Sequence, residues 1–192
     1  MINVNLFYNL DGQGILNLWK QVLLLDTPRR DCSVEWDDGI DLDSYLMTYI
    51  NQWYDHMLTT AKADLLPIED VKDNVVLNAV EGMIEAVMPK HCIRPVEMRL
   101  HGWKRSVTEF LQPGSHEANV QLNEWTRGGI YMPAVIDYGD RLVMTRAGSS
   151  SLRLDVARCV ARPADGSFKF HGSLLDTIPL WYNEQRKQER AQ

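Results

Sequence analysis

The sequence predicts an α+β fold: an N-terminal helical bundle of about three to four helices, then an antiparallel β-meander, then a polar C-terminal tail. Three observations carry this. Apolar residues recur at helical spacing from Ile15 to Leu111. From about Ala118 the apolar period shortens towards two, the spacing of a half-buried strand. The end of the chain, Asn183 to Gln192, is polar all round.

In chain order, Met1 to Leu10 alternates loosely through Ile2, Val4 and Leu6, which predicts an extended arm or edge strand. Asp11-Gly12-Gln13-Gly14 reads as a turn; no Gly-Lys-Ser/Thr follows, so it is no phosphate loop. Ile15 to Leu25 predicts a short helix ended by Thr27-Pro28. Glu35 to Asp43 reads as an acidic loop whose spacing misses the EF-hand calcium pattern.

Two helices expected between Asp41 and Met88 organise the rest of the chain. Leu42, Leu46, Tyr49, Ile50, Trp53 and Met57 share one helical face, with Asp41, Asp43 or Ser44 as cap. Pro67 is placed at the first position of a second helix, followed by Glu69 and Asp70. Its stripe runs through Val75, Val76, Ala79, Val80, Met83, Ile84 and Val87 to a stop at Pro89. A third helix is expected over Val96 to Leu111, despite Gly102, ended by Pro113-Gly114.

Beyond it, strands are expected around Val120 and Leu122, over Ile130 to Ile136, at Leu142-Val143-Met144 and at Leu152 to Val156. Ala164-Asp165-Gly166 predicts a hairpin turn before Ser167 to His171. Pro179 to Tyr182 starts a last helix, and the tail after it is frayed or ordered against a neighbour. The expected organisation is one structural domain: a mainly helical region over residues 1–114, a β region over 115–176 and a terminal helix or tail over 177–192.

With 192 residues, 45% of them hydrophobic and 24% charged, the chain is an ordinary globular one, able to bury a core without metal or disulfides. Nothing at the start reads as a secretory leader, and no apolar run reaches the roughly 20 residues of a membrane span. Three cysteines, Cys32, Cys92 and Cys159, are odd in number and far apart, which suits a reducing cytoplasm. The net charge of −6 is uneven: 13 acidic residues face only Lys62 and Lys72 between Asp31 and Met88, while the chain from Pro89 onward carries 15 basic against 11 acidic. Such asymmetry suits subunits that dock acidic face to basic face.

No motif names a reaction. The histidines, His56, His91, His101, His116 and His171, form no metal-binding pair at helical spacing, and no Cys-x-x-Cys occurs. Cys92 beside His91 resembles a nucleophile and base by composition, but neighbours on a helix point apart. Gly148 to Ser151 lacks the nucleophile-elbow pattern. The expectation is therefore a non-enzymatic protein with no cofactor and no metal. Lys90, Arg94, Arg99, Lys104 and Arg105 form the most basic stretch and are the candidate residues for a protein interface or a phosphate contact.

In layout the chain resembles the small head-to-tail adaptor or neck proteins of tailed bacteriophages. The resemblance lies in the helix pair around Asp43 to Val87, a small β element and a polar extension, with Leu66 to Phe110 the most similar stretch. It covers about half the chain and carries over no functional residue. It implies a virion subunit in a homo-oligomeric ring, made in a bacterial cytoplasm. The alternative is a small cytoplasmic binding or regulatory module whose basic stretch engages nucleic acid or an acidic protein. No membrane partner is expected in either case.

Overall fold

A computed structural model describes residues 6–23, 42–145 and 152–190. The acidic stretch Glu35 to Asp41, Cys32 and the Gly148 to Ser151 loop lie outside them. The chain divides into two compact units, 1–67 with 163–192, and 68–162.

The first unit holds β1 (Phe7–Leu10), α1 (Gly12–Val22), α2 (Leu42–Thr60), β9 (Phe168–His171) and α4 (Thr177–Arg190). Asp11 caps α1 by accepting the Gly14 N–H at 2.8 Å, so the expected turn is the helix's first turn. α2 follows its predicted stripe from Leu46 onward: Leu46, Tyr49, Ile50, Trp53 and Met57 are all buried, while Leu42 at its start is exposed. The core is aromatic. Trp53 meets Trp19 and Phe170 edge-on, with ring centroids 5.8 and 5.3 Å apart. β1 pairs antiparallel with β9, Phe7 opposite His171 and Leu10 opposite Phe168.

The second unit is mostly β. β2 (Ile68–Asp70), β8 (Leu154–Ala161) and β5 (Cys92–Leu100) form one antiparallel sheet in the order β2-β8-β5. β3 (Val76–Val80), β4 (Met83–Val87), β7 (Leu142–Thr145) and β6 (Val135–Asp137) form another, in the order β3-β4-β7-β6. A short helix α3 (His116–Leu122) starts at Ser115, whose hydroxyl accepts the Ala118 N–H at 3.1 Å. Ile84, Ala86, Met98, Leu100, Trp103 and Met144 are among the residues of this unit's core.

The fold is α+β, but it is not an N-terminal bundle followed by a meander. The strands are spread along the chain, beginning at Phe7, and the four strands that follow α3, β6 to β9, belong to three different sheets. Two expected helices are strands. The run read as a helix from Pro67 to Met88 is β2, β3 and β4, rich in the β-branched Val and Ile that fit a pleated surface. Glu81 and Gly82 both take positive φ, +48° and +81°, which makes a tight two-residue hairpin turn in mid-run. The helix expected over Val96 to Leu111 is the end of β5 followed by a turn at Gly102, where φ is +93°. After that turn Val107 exchanges both backbone hydrogen bonds with Met98, at 2.8 and 2.9 Å.

Other departures have local causes. Val120 and Leu122 lie in α3, because the Ser115 cap starts a helix there. Pro133 lies before the strand and only Val135–Asp137 is extended in the sheet, since proline offers no ladder donor. Pro95 does sit inside β5, at one of three register shifts against β8. The turn before β9 exists, but it joins β8 and β9 without pairing them. The polar tail is helical through Arg190 as the end of α4.

Candidate functional site

The five predicted basic residues do not converge. Lys90 is exposed in the turn before β5, and Lys104 and Arg105 are exposed in the loop after it. β5 separates Arg94 from Arg99 by roughly 16 Å, five residues at about 3.3 Å each. Arg94 lines a small cleft with Asp137 and Arg141, and burial lowers its pKa from the ordinary guanidinium value. Arg99 belongs to a different group. Its Nε lies 4.0 Å from Asp155, whose carboxylate also meets His101 at 3.2 Å and Arg153 at 3.4 Å. Burial would raise the Asp155 pKa, but the hydrogen bond with His101 and the charges of His101, Arg153 and Arg99 outweigh it and lower the value. His101 Nδ1 also lies 3.0 Å from Arg153 Nη2. A nitrogen that donates to Asp155 cannot accept from Arg153, so the two contacts are alternative protonation arrangements.

At Cys92 the surroundings disfavour the thiolate. His91 Nε2 stands 3.4 Å from Glu69 Oε2. Cys92 lies on β5 and Cys159 on the adjoining β8, and the two thiols are hydrogen-bonded. Burial pushes both thiols to higher pKa, most strongly at Cys159, with the Glu69 carboxylate adding to it. That is the reverse of what activates a cysteine. Among the described residues no group of three or more His, Cys, Asp or Glu could hold a metal ion. No described helix is long and apolar enough to cross a membrane.

What the second unit does present is a number of large exposed apolar side chains. Four follow or end α3: Leu122, Trp125, Tyr131 and Met132, with Trp125 92% exposed. Their loop is held by its own hydrogen bonds. Thr126 Oγ1 donates to the Val120 carbonyl at 2.7 Å, and the Gly128 N–H donates to the Gln121 side chain at 2.8 Å. A Cβ on Gly128 would stand 2.0 Å from the Met132 carbonyl oxygen, so only glycine fits this return of the chain. Trp125 is thus displayed from a fastened loop.

Two open grooves flank that loop. One, of about 580 Å³, is lined by Arg105, Leu111, Glu117, Tyr131 and Met132 among others. The second, of about 670 Å³, reaches the β3-β4 hairpin through Val80, Met83, Leu122, Arg127 and Tyr138. The hairpin face that carries Val80 also carries Val76 and Val87, all exposed. Two cations beside the second groove are paired, Arg127 with Glu124 and Arg141 with Glu85, both at 3.4 Å, and Glu81 lines it as well. Of the predicted residues, Arg105 lines the first groove. The sequence signal for the rest was a single tryptophan among polar residues, Asn123-Glu124-Trp125-Thr126-Arg127, which no helical or strand period explains.

No family model, no characterised protein and no solved structure matches this chain.

Proposed function

We propose that this protein is a non-enzymatic assembly subunit that works by binding other proteins through the apolar surface of its second unit. The observation that carries the reading is the fastened loop displaying Trp125, whose Leu122, Glu124 and Arg127 share a groove with Val80 of the β3-β4 hairpin. Large exposed apolar side chains with polar residues around them mark contact surfaces. Tryptophan and tyrosine at the centre of such a surface supply most of the binding energy. A ring-forming subunit of a phage head-to-tail connector is one specific form of this proposal. Its support is the surface and not the layout, since Leu66 to Phe110 forms strands and loops here.

The nucleic-acid alternative draws less support. The basic side chains are dispersed, Arg99 is opposed by Asp155, and Arg158 is opposed by Glu97 at 3.2 Å. A phosphate-tracking surface needs unopposed, neighbouring cations.

The test is sedimentation of the protein from its native source, beside a Trp125→Ala variant. Co-migration with a larger species that survives high salt, and is lost in the variant, is the expected result. A wild-type protein that always sediments as a free monomer overturns the proposal.

A further inference from the structure

We propose that the open edge of β3 pairs with the β3 edge of a second copy of this chain, antiparallel and centred on Asn78. The pairing would join two four-stranded sheets into one of eight strands. The inference rests on the assembly reading above and names a partner for part of that surface.

The hairpin geometry fixes which backbone groups are available. Val80 stands opposite Met83 across the two-residue turn, with Asn78 opposite Glu85 and Val76 opposite Val87. In such a hairpin the pair flanking the turn exchanges hydrogen bonds, and so does every second pair after it. Val76, Asn78 and Val80 therefore direct their N–H and C=O groups at β4. Leu77 and Ala79 direct theirs away, and no strand among the described residues pairs with that side of β3.

The other edges in this unit are guarded. β6 is capped by Leu111, whose N–H donates to Val135 O and whose carbonyl accepts from the Asp137 N–H, both at 2.9 Å. β5 has Pro95, register shifts and the Val107 bridge on it. β2 is three residues long and ends in Glu69 and Asp70. Bulges, prolines, charges and short length are the usual devices against edge-to-edge pairing. β3 has none of them: Val76-Leu77-Asn78-Ala79-Val80 is uncharged, free of proline and in unbroken register.

The strand is also self-complementary. Leu77 and Ala79 must carry the new hydrogen bonds, so each must face an odd-numbered residue of the partner copy. Centring on Asn78 sets Leu77 opposite Ala79 twice, which gives four backbone hydrogen bonds. It sets Val76 opposite Val80 twice and Asn78 opposite Asn78. These last are the non-hydrogen-bonded positions, where side chains approach most closely, about 4.5 Å between Cα atoms. Shifting the centre to Leu77 or Ala79 sets Asn78 against a valine. Val76 and Val80, 58% and 44% exposed, gain cover in the centred register alone as a matched pair. A two-fold axis requires such a patch to complement itself.

The experiment is sedimentation equilibrium of purified full-length protein over a range of concentrations. The wild type is expected to form a dimer, and Asn78→Lys, which sets two ammonium groups face to face, is expected to weaken it at least about tenfold. Mixing Asn78→Lys with Asn78→Glu is expected to restore the dimer as a heterodimer. Hydrogen exchange at Leu77 and Ala79 should slow as wild-type concentration rises, and should not in Asn78→Lys. A monomeric wild type at every concentration overturns the inference, and so does a dimer that Asn78→Lys leaves intact. If native complexes are lost in Trp125→Ala but kept in Asn78→Lys, this pairing fails and the assembly reading stands. If wild-type protein enters no complex of either kind, both fail.

Discussion

Tyr49 donates its phenolic hydrogen to a carboxylate oxygen of Glu189, 140 residues further along the chain. The other carboxylate oxygen accepts from Tyr45 at 2.8 Å, and the two tyrosine hydroxyls are themselves 2.7 Å apart. The Tyr182 ring meets Tyr49 edge-on at 5.5 Å. Two positions on α2 and one on α4 thus make a closed polar group that holds the polar half of α4, a segment with few apolar side chains of its own.

This group makes the attachment of α4 dependent on pH from both sides. Hydrogen bonds from Tyr49 and Tyr45 hold the Glu189 pKa below the ordinary glutamate value. A carboxylate with a depressed folded-state pKa contributes stability above its unfolded value, about 4.3, and loses it as pH falls through the folded value. Burial and Glu189 push the Tyr49 pKa well above that of free tyrosine. Its contribution is complete below about pH 10 and declines above it. Helical signal and melting temperature should therefore be flat in between and fall at both ends. In Glu189→Gln the acid-side fall should shrink, and so should the alkaline one, in part, because burial still raises the Tyr49 pKa. Identical acid profiles for the two proteins would show that Glu189 does not hold α4.

The first unit should depend on Phe170 more than on any residue of the β1 face. Phe170 is fully buried between Trp53 and Tyr8, with ring centroids 5.3 and 5.7 Å away. Phe170→Ala should cost about 3–5 kcal/mol, the usual loss for emptying an aromatic site. Phe7, on the neighbouring strand, is 56% exposed, and Phe7→Ala should stay under roughly 1 kcal/mol. Urea midpoints for the two variants decide it, and equal losses would contradict the core assignment.

How legible this was in the sequence depended on what set each element's period. α2 was readable because Leu46, Tyr49, Ile50, Trp53 and Met57 all face one core at a true helical spacing. The β3-β4 run was not. Val75, Val76, Ala79, Val80, Met83, Ile84 and Val87 also fit a helical stripe, yet Val76, Val80 and Val87 are exposed. Their apolar character belongs to a surface, so burial periodicity misdirects. The turn between them is Glu-Gly rather than the Asn-Gly or Asp-Gly that signals a tight hairpin. The basic residues were legible as composition, but β5 extends them along one line and supplies Asp155 against Arg99. The apolar surface had no period to announce it, because Trp125 sits on a loop.

The two described thiols should react slowly in the folded protein. Cys159 is fully buried, and its pKa is raised by burial, by the Cys92 contact and by Glu69. The thiolate is the reacting species, so alkylation falls with its population. In a brief iodoacetamide pulse at neutral pH, the Cys159 peptide should be labelled at least about tenfold less than in urea. Cys92, less buried, should lie between the two. Rapid native labelling of Cys159 would mean that β8 opens readily.

The hairpin turn offers a gain rather than a loss. Glu81 takes a φ of +48°, a left-handed conformation that costs an ordinary L-residue roughly 1–2 kcal/mol and that asparagine adopts routinely. Gly82, at +81°, already meets the demand of its position. Glu81→Asn should stabilise the second unit by roughly 1 kcal/mol, since it converts the turn to the Asn-Gly pair. Gly82→Ala should cost roughly 1–2 kcal/mol. Steric contact is not the cause, because the nearest atom to the added Cβ is Arg127 Nη1 at 3.8 Å. Melting temperatures moving in opposite directions are the expected result. A destabilised Glu81→Asn would mean that the glutamate side chain holds the turn by contacts of its own.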